Sequence, residues 1–294
     1  MQNLSVPAQE ASTPRKKTIT NQLKWLVNQH TAALRLLPDF LIIGAQKGGT
    51  TSLYRYLQQH PYFASALRKE IHYFDVNFAQ GVDWYRSHFK SVLYKQYIKQ
   101  IHRQEIVTGE ASPYYLFHPH APQRVFDLIP QVKLIVMLRN PVDRAYSQYN
   151  HQVKRGFETL SFEEAIKAEP QRLQGEQEQI LADVNYDSFN HPNYSYLARG
   201  IYVDQLQLWM SIFPQEQFLI IDSREFFRDT EKVFQKVLNF LDLPEWELTK
   251  YSTFNRRKSD VKMLPSTRDS LINYFTPHNQ RLSEFLGMEF DWDR

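Results

Sequence analysis

Short apolar runs bounded by turn residues recur along this chain, and most of them are followed by a segment with helical spacing. The runs fall at 40–43, 105–107, 133–138 and 218–221. Because each is short and continuous, it predicts a buried strand. Helical segments are predicted at 21–37, 52–59, 142–154 and 230–241. Strands that alternate with helices predict an α/β fold, with a central parallel sheet flanked by crossover helices.

The chain shows no internal repeat and no linker that would divide it. We therefore predict a single domain over 21–294. Residues 1–20 are polar and include the Arg15-Lys16-Lys17 cluster, so we expect a flexible N-terminal tail there. The stretch at about 171–196 is rich in glutamine, glutamate and asparagine, which predicts a polar surface insertion or lid.

Composition and charge exclude several classes of function. Of the 294 residues, 42% are hydrophobic and 23% charged, which predicts a packed globular core. The net charge of +3 is well below the basic excess of a protein that coats nucleic acid, so no nucleic-acid partner is expected. A local basic pocket for an anionic small molecule fits better. Because the chain has no cysteine, disulfides, a thiol nucleophile and cysteine-ligated zinc are excluded.

No segment has the pattern of a membrane span or a secretory signal. The apolar stretch at 32–45 is interrupted by Arg35, Pro38 and Asp39, and it is shorter than the ~20 apolar residues that a span needs. The N-terminus also lacks the charged-then-apolar order of a signal peptide. We therefore expect no transmembrane segment and a cytoplasmic location.

The strongest chemical signal is a glycine loop, residues 44–52 (GAQKGGTTS), between the first predicted strand and a predicted helix. In this position, backbone N–H groups and the helix dipole bind an anion. The adjacent glycines let a phosphate approach the main chain, while a lysine and three hydroxyls surround it. The candidate donor-binding residues are Lys47, Gly48, Gly49, Thr50, Thr51 and Ser52.

The glycine loop differs from the loop of nucleotide triphosphatases. In those proteins the lysine directly follows the last glycine and precedes a magnesium-binding Ser or Thr. Here Lys47 precedes the glycine pair, and no acidic residue suited to hold the metal follows a predicted strand. We therefore expect no metal. A sulfuryl donor suits such a site, because a sulfuryl group carries less charge than a terminal phosphoryl group.

Four segments resemble the sulfotransferases that use 3'-phosphoadenosine-5'-phosphosulfate (PAPS), and they look closest to the heparan sulfate branch and its bacterial relatives. Segment 46–52 is similar to that family's 5'-phosphosulfate loop, and segment 134–149 to its 3'-phosphate motif. Segments 69–75 and 109–115 resemble acceptor-side motifs. The resemblance extends from about 39 to 293. It implies a P-loop-like fold and transfer of a sulfuryl group from PAPS to a hydroxyl or amine of a carbohydrate, lipid or small metabolite.

The resemblance also implies roles for individual residues. Lys47 would neutralise the departing bridging oxygen, and Arg139 with Ser147 would hold the 3'-phosphate. Glu70 is the candidate general base. If the segment is extended, His72 points to the same side and either orients Glu70 or contacts the acceptor. The other predicted acceptor-site residues are Tyr73, Phe74, Asp75, Ser112, Pro113 and Tyr114.

The chain departs from the heparan sulfate branch in its C-terminal basic segment. Residues 254–259 (FNRRKS) lack the expected Lys-Gly step. Either one of Arg256, Arg257 and Lys258 reaches a donor phosphate, or the segment is a solvated basic loop. The absence of cysteine and of an anchor argues against a Golgi enzyme, so the acceptor need not be heparan sulfate. Two alternatives remain open: a P-loop small-molecule kinase and a catalytically inactive nucleotide-binding protein.

Overall fold

The structure is a computed structural model that describes residues 19–249 and 263–292. Most of the expected N-terminal tail lies outside these ranges, as do Arg256 and Arg257.

The described residues contain one five-stranded sheet in which all paired strands are parallel. The strands are β1 (Phe40–Gly44), β2 (Phe63–Ser65), β3 (Val107–Ala111), β4 (Lys133–Leu138) and β5 (Phe218–Asp222). They are ordered β2-β3-β1-β4-β5 across the sheet. The prediction of a single α/β domain with a central parallel sheet is confirmed, and β2 is a short strand that the sequence pattern did not reveal.

Helices flank the sheet. They are α1 (Ile19–His30), α2 (Thr50–Leu57), α3 (Gly81–Arg86), α4 (Val92–His102), α5 (Ala121–Leu128), α6 (Pro141–Arg155), α7 (Phe162–Leu173), α8 (Glu176–Ala182), α9 (Asn190–Tyr194), α10 (Tyr202–Met210), α11 (Ser223–Arg228), α12 (Thr230–Phe240) and α13 (Pro265–Leu286). Short 3-10 turns lie at Ala32–Leu34, Phe78–Gln80, Ala198–Gly200 and Gln215–Gln217. No described helix is both long and apolar enough to cross a membrane.

The apolar runs form strands because helices cover both faces of the sheet. Along β4, Leu134 and Val136 belong to one buried cluster, whereas Ile135 and Met137 belong to another on the opposite face. Alternate side chains of a strand point to opposite faces, so a strand covered on both sides is apolar throughout. This explains why the run at 133–138 is continuous.

The strand order creates a crevice at the carboxyl end of the sheet. β1 lies between β3 and β4. After β1, the chain forms β2 and β3 on one side of it and then crosses over to form β4 and β5 on the other side. In open parallel sheets, ligands bind at such a switch point, outside the carboxyl ends of the two strands. The glycine loop follows β1 and Arg139 follows β4, so both begin at this crevice.

The stretch at 171–196 is built around a buried carboxylate. It contains α8 and α9, and Glu176 accepts hydrogen bonds from the Tyr186 hydroxyl, the Ser188 hydroxyl and the Asn190 amide. His191 and Asn193 are also buried. Much of this polar composition therefore serves internal hydrogen bonds.

Candidate active site

The glycine loop is shaped by close backbone packing. A Cβ on Gly48 would lie 2.3 Å from the carbonyl oxygen of Met137, so no larger residue fits there. Gly49 has φ 102°, a left-handed conformation that favours glycine, and it precedes α2. The Ser223 hydroxyl donates to the Gly48 carbonyl oxygen. These contacts hold the start of α2 in a position suited to an anion, because the first N–H groups of a helix lack intrahelical acceptors. The Ser52 N–H is already used, since it donates to the Gly49 carbonyl oxygen at 2.9 Å.

One cleft of about 660 Å³ contains most of the predicted site. Its walls include these predicted residues: Lys47, Gly49, Thr50, Thr51, Ser52, Glu70, His72, Pro113, Tyr114, Arg139 and Ser147. The glycine loop therefore shares a cavity with Arg139 and Ser147, although about ninety residues separate them in sequence. A cavity of this size falls within the usual range for small-molecule sites.

Arg139 is hydrogen-bonded to both the glycine loop and α10. Its Nη1 donates to the carbonyl oxygen of Lys47 at 3.2 Å, and its own carbonyl oxygen accepts from the Tyr202 hydroxyl at 2.8 Å. Asn140 caps α6 and thereby places Ser147 on a helix that faces the cleft. Asp143, also in the wall, pairs with Arg268. Arg139 and Ser147 therefore reach the cleft from rigid elements.

The glycine loop has the properties of an anion site. Burial lowers the pKa of Lys47, and the positive charge of the neighbouring Arg139 guanidinium lowers it further, so two cationic groups lie close together here. Ser52 Oγ is buried and has no hydrogen-bond partner among the described residues. A buried hydroxyl without a partner is costly, whereas a bound anion would satisfy it. The loop therefore fits the phosphosulfate end of a donor.

Glu70 and His72 both line the cleft, but the segment is not extended, so the condition under which we expect them to point to the same side is not met. Their φ angles are 61° and 57°, in the left-handed region. His72 Nδ1 pairs with Asp75 Oδ2 at 2.7 Å, and Glu70 forms an ion pair with Lys69. The two side chains therefore reach the same cleft through left-handed backbone conformations and not through an extended chain.

The two side chains differ in their electrostatics. Burial alone would raise the pKa of Glu70, but the adjacent Lys69 ammonium lowers it overall, so the carboxylate is ionised at neutral pH. Burial would lower the pKa of His72, but the hydrogen bond and charge of Asp75 raise it overall. The ionised carboxylate is suited to accept a proton, and the histidine is biased towards its cationic form.

Several residues predicted for the acceptor site or the glycine loop do not line the described cleft. Tyr73 and Phe74 are buried in the core, where Tyr73 stacks on Tyr85 at a centroid distance of 4.4 Å. Asp75 and Ser112 are also buried; Asp75 pairs with Nδ1 of His72, and Ser112 Oγ accepts from the backbone N–H of His72. Gly48 packs against the backbone of Met137, on the side of the loop away from the cleft. The structure therefore places these residues behind the cleft wall.

The cleft also includes residues that the sequence reasoning missed. They are Gln46, Asn140, Asp143, His151, Asp222, Ser223, Arg224, Phe227, Arg268, Asp291 and Trp292. His151 had a usable signal, since it lies four residues after Ser147 and so on the same helix face. Trp292 had none, because its carbonyl oxygen is held by the side chain of Asn140, 152 residues earlier.

The fold and the cleft are those of an α/β enzyme, with a glycine loop suited to an anion and an ionised carboxylate in one wall. The sulfotransferase domain model matches residues 37–290, so the chain belongs to the sulfotransferase domain family. Its fold is therefore the P-loop-like fold, and the chain is a sulfotransferase. This sets aside the kinase and the inactive nucleotide-binding protein.

Three similar proteins illustrate the relationship. The membrane-associated sulfotransferase kil1 of Dictyostelium discoideum is 30% identical, over 88% of this chain and 67% of its own length. Heparan sulfate glucosamine 3-O-sulfotransferase 5 of Mus musculus is 28% identical, over 92% of this chain and 78% of its own length. The crystal structure of a sulfotransferase from Alicyclobacillus acidocaldarius has a TM-score of 0.65 and 33% identity, and the match covers 88% of this chain and all of that one.

The comparisons also correct one expectation. We expected a cytoplasmic location because no span or signal was visible in the sequence. That expectation is contradicted, since the Dictyostelium relative is named as membrane-associated.

Proposed function

We propose that this sulfotransferase takes its sulfuryl group from PAPS and transfers it to a hydroxyl on a carbohydrate. The observation that carries the proposal is the single cleft that unites the glycine loop, the Arg139–Ser147 pair and the Glu70 carboxylate. Family membership supports PAPS as the donor. Similarity to heparan sulfate glucosamine 3-O-sulfotransferases supports a carbohydrate hydroxyl as the acceptor group.

The donor would lie across the cleft with its two charged ends held separately. The first-turn amides of α2, together with Lys47 and Ser52, would bind the 5'-phosphosulfate, which would also give Ser52 Oγ a partner. Arg139 and Ser147 would bind the 3'-phosphate, the group that distinguishes PAPS from common nucleotides. Charge-assisted hydrogen bonds of this kind provide both affinity and orientation.

The reaction would be an in-line displacement at sulfur. Glu70 accepts the proton of the acceptor hydroxyl while that oxygen forms a bond to sulfur. The bond between sulfur and the bridging oxygen of the 5'-phosphate breaks, and the electron pair stays on the phosphate. Lys47 then stabilises the negative charge that develops on the leaving oxygen. The products are the sulfated acceptor and 3'-phosphoadenosine-5'-phosphate (PAP), and no metal takes part in these steps.

A transfer assay tests this proposal. The full chain is incubated with radiolabelled PAPS and a panel of acceptors: a glucosamine-containing polysaccharide, a phenol and an amine. We expect label in the polysaccharide, and a loss of about 10²- to 10⁴-fold in kcat for Glu70→Gln, the usual contribution of a general base. Glu178→Gln, an exposed carboxylate on α8, is the matched control and should retain full activity. Label in the phenol or amine alone would refute the carbohydrate acceptor.

A further inference from the structure

Five successive backbone N–H groups, those of residues 70–74, donate to one short segment of the chain, residues 110–115. Glu70 N–H donates to the Ala111 carbonyl oxygen at 3.1 Å, which is a backbone contact. The other four donate to side chains: Ile71 N–H to Glu110 Oε2 at 3.4 Å, His72 N–H to Ser112 Oγ at 3.1 Å, and Tyr73 and Phe74 N–H to the Tyr115 hydroxyl at 2.8 and 3.4 Å. A regular helix or strand would pair these groups with backbone carbonyls instead.

The three acceptor side chains are joined by the Glu110 carboxylate. Ser112 Oγ donates to Glu110 Oε2 at 2.7 Å, and the Tyr115 hydroxyl donates to Oε1 at 2.8 Å. Tyr85 donates to Oε1 from the core side at 3.0 Å. Glu110 is fully buried at the end of β3. We call Glu110, Ser112 and Tyr115 the buried cradle.

Stability alone is a weak reason to keep such a carboxylate in the core. Removing a carboxylate from water is costly, and well-packed apolar side chains often serve stability as well or better. The cradle instead provides directed acceptors for a stretch of backbone that has no ladder partner. That stretch includes two non-glycine residues with left-handed φ angles, Glu70 and His72. Such conformations persist only where the surroundings fix them.

The left-handed turns decide where the side chains lie. Glu70 and His72 both line the cleft, whereas Ile71 between them is fully buried in the core. With its N–H groups released, this stretch could relax towards ordinary φ values and change the direction of both side chains. The hydrogen bonds of the cradle oppose that change at each residue from 71 to 74.

We propose that the buried cradle of Glu110, Ser112 and Tyr115 positions Glu70 and His72 for the reaction by fixing the backbone of residues 70–74. This inference rests on the proposed function, because it takes Glu70 as the base. The three residues act through the loop and do not touch the substrate, so they are positioning residues.

Two variants of the cradle and one control separate positioning from general stability. Ser112→Ala removes the acceptor of the His72 N–H, and Tyr115→Phe removes the acceptor of two further N–H groups. Tyr85→Phe removes a hydrogen bond to the same carboxylate but leaves every N–H of the loop with its acceptor. All three residues are fully buried, so the losses of stability should be comparable.

The first readout is amide hydrogen exchange of the peptide that covers residues 70–74 in the full-length protein. We expect exchange at least about tenfold faster in Ser112→Ala and Tyr115→Phe, and unchanged in Tyr85→Phe. The second readout is transfer of label from PAPS to the acceptor polysaccharide. We expect kcat to fall about 10- to 100-fold in the two cradle variants, as for a catalytic group misplaced by up to 1 Å. The dissociation constant of PAP should stay within twofold of wild type.

Each outcome decides the proposal. Equal exchange in all three variants, or an unchanged kcat in the cradle variants, would overturn it. A weakened affinity for PAP that accounts for the whole loss would also overturn it, because the cradle would then act on the donor side. If the wild-type chain transfers no label at all, the proposed function has failed, and the exchange result alone still decides whether the cradle fixes the loop.

Discussion

The closest packing in the glycine loop offers a sharp test of how the donor is bound. In Gly48→Ala, the new Cβ would lie 2.3 Å from the Met137 carbonyl oxygen and 2.9 Å from that of Ala45. Real Cβ atoms stay at least 3.0 Å from such neighbours, so the loop must move by about 0.7 Å. Both obstacles are backbone atoms, which cannot rotate away. Such a shift breaks at least one hydrogen bond from the loop to a charged phosphate, which costs about 1.5 to 3 kcal/mol, or about 10- to 150-fold in affinity.

We therefore expect Gly48→Ala to bind PAP about 100-fold more weakly, as measured by isothermal titration calorimetry. Gly156→Ala is the control: Gly156 has φ 74° at the end of α6, and a Cβ there meets nothing within 4 Å. It should lose about 1 kcal/mol of stability from the strained backbone and keep its affinity for PAP. If Gly48→Ala bound PAP as tightly as wild type, the glycine loop would not be the phosphosulfate site.

Three further predictions follow from the cleft. Ser52→Ala should raise the free energy of unfolding of the free protein by about 1 kcal/mol, because a buried hydroxyl without a partner is removed, yet it should weaken PAP binding in calorimetry. As the pH is lowered, transfer by the wild type should lose activity only below pH 4.5, the ordinary pKa of a glutamate. Burial alone would raise the pKa of Glu70, but the Lys69 ammonium outweighs it and holds the pKa below that value. A rate that falls already near pH 6 would contradict Glu70 as the base. Asp75→Asn should lower the pKa of His72 relative to wild type in an NMR titration, because burial is then opposed only by the charges of Glu70 and Glu110. The wild-type pair should stabilise the fold fully below about pH 6.5 and lose that contribution as pH rises through the raised pKa, so an unchanged pKa in Asp75→Asn would refute the coupling.

The central strands were predictable because the apolar pattern that marks them lies in consecutive residues. β1 and β4 are covered on both faces, so each appears as an unbroken apolar run followed by its loop. The three-residue strand β2 has too few positions for a pattern, and it becomes a strand only by pairing with β3. The glycine loop was predictable for the same local reason, since its glycines, lysine and hydroxyls are adjacent in sequence.

The geometry around Glu70 and His72 was not predictable from local sequence. Glu70 and His72 are not glycines, and no neighbouring residue in the sequence indicates that they adopt positive φ angles. The acceptors that fix its backbone lie about forty residues later in the chain. The same reasoning explains Tyr73 and Phe74, whose place in the core depends on Tyr85 and Tyr115. Of the residues that the motif assigned to this part of the site, Glu70 and His72 line the cleft, whereas Tyr73, Phe74 and Asp75 do not.

The central claim is that one cleft holds both charged ends of PAPS, and thermal unfolding with two matched ligands tests it most directly. At 100 times its dissociation constant, PAP should stabilise the folded chain by about 2.7 kcal/mol. At about 2.1 cal/mol/K of unfolding entropy per residue over 294 residues, this raises Tm by about 4 °C. Adenosine 5'-phosphate lacks the 3'-phosphate, so at the same concentration it should raise Tm far less than PAP does. In Arg139→Ala, the difference between the two Tm shifts should vanish. Equal shifts with both ligands, or none with either, would contradict the account.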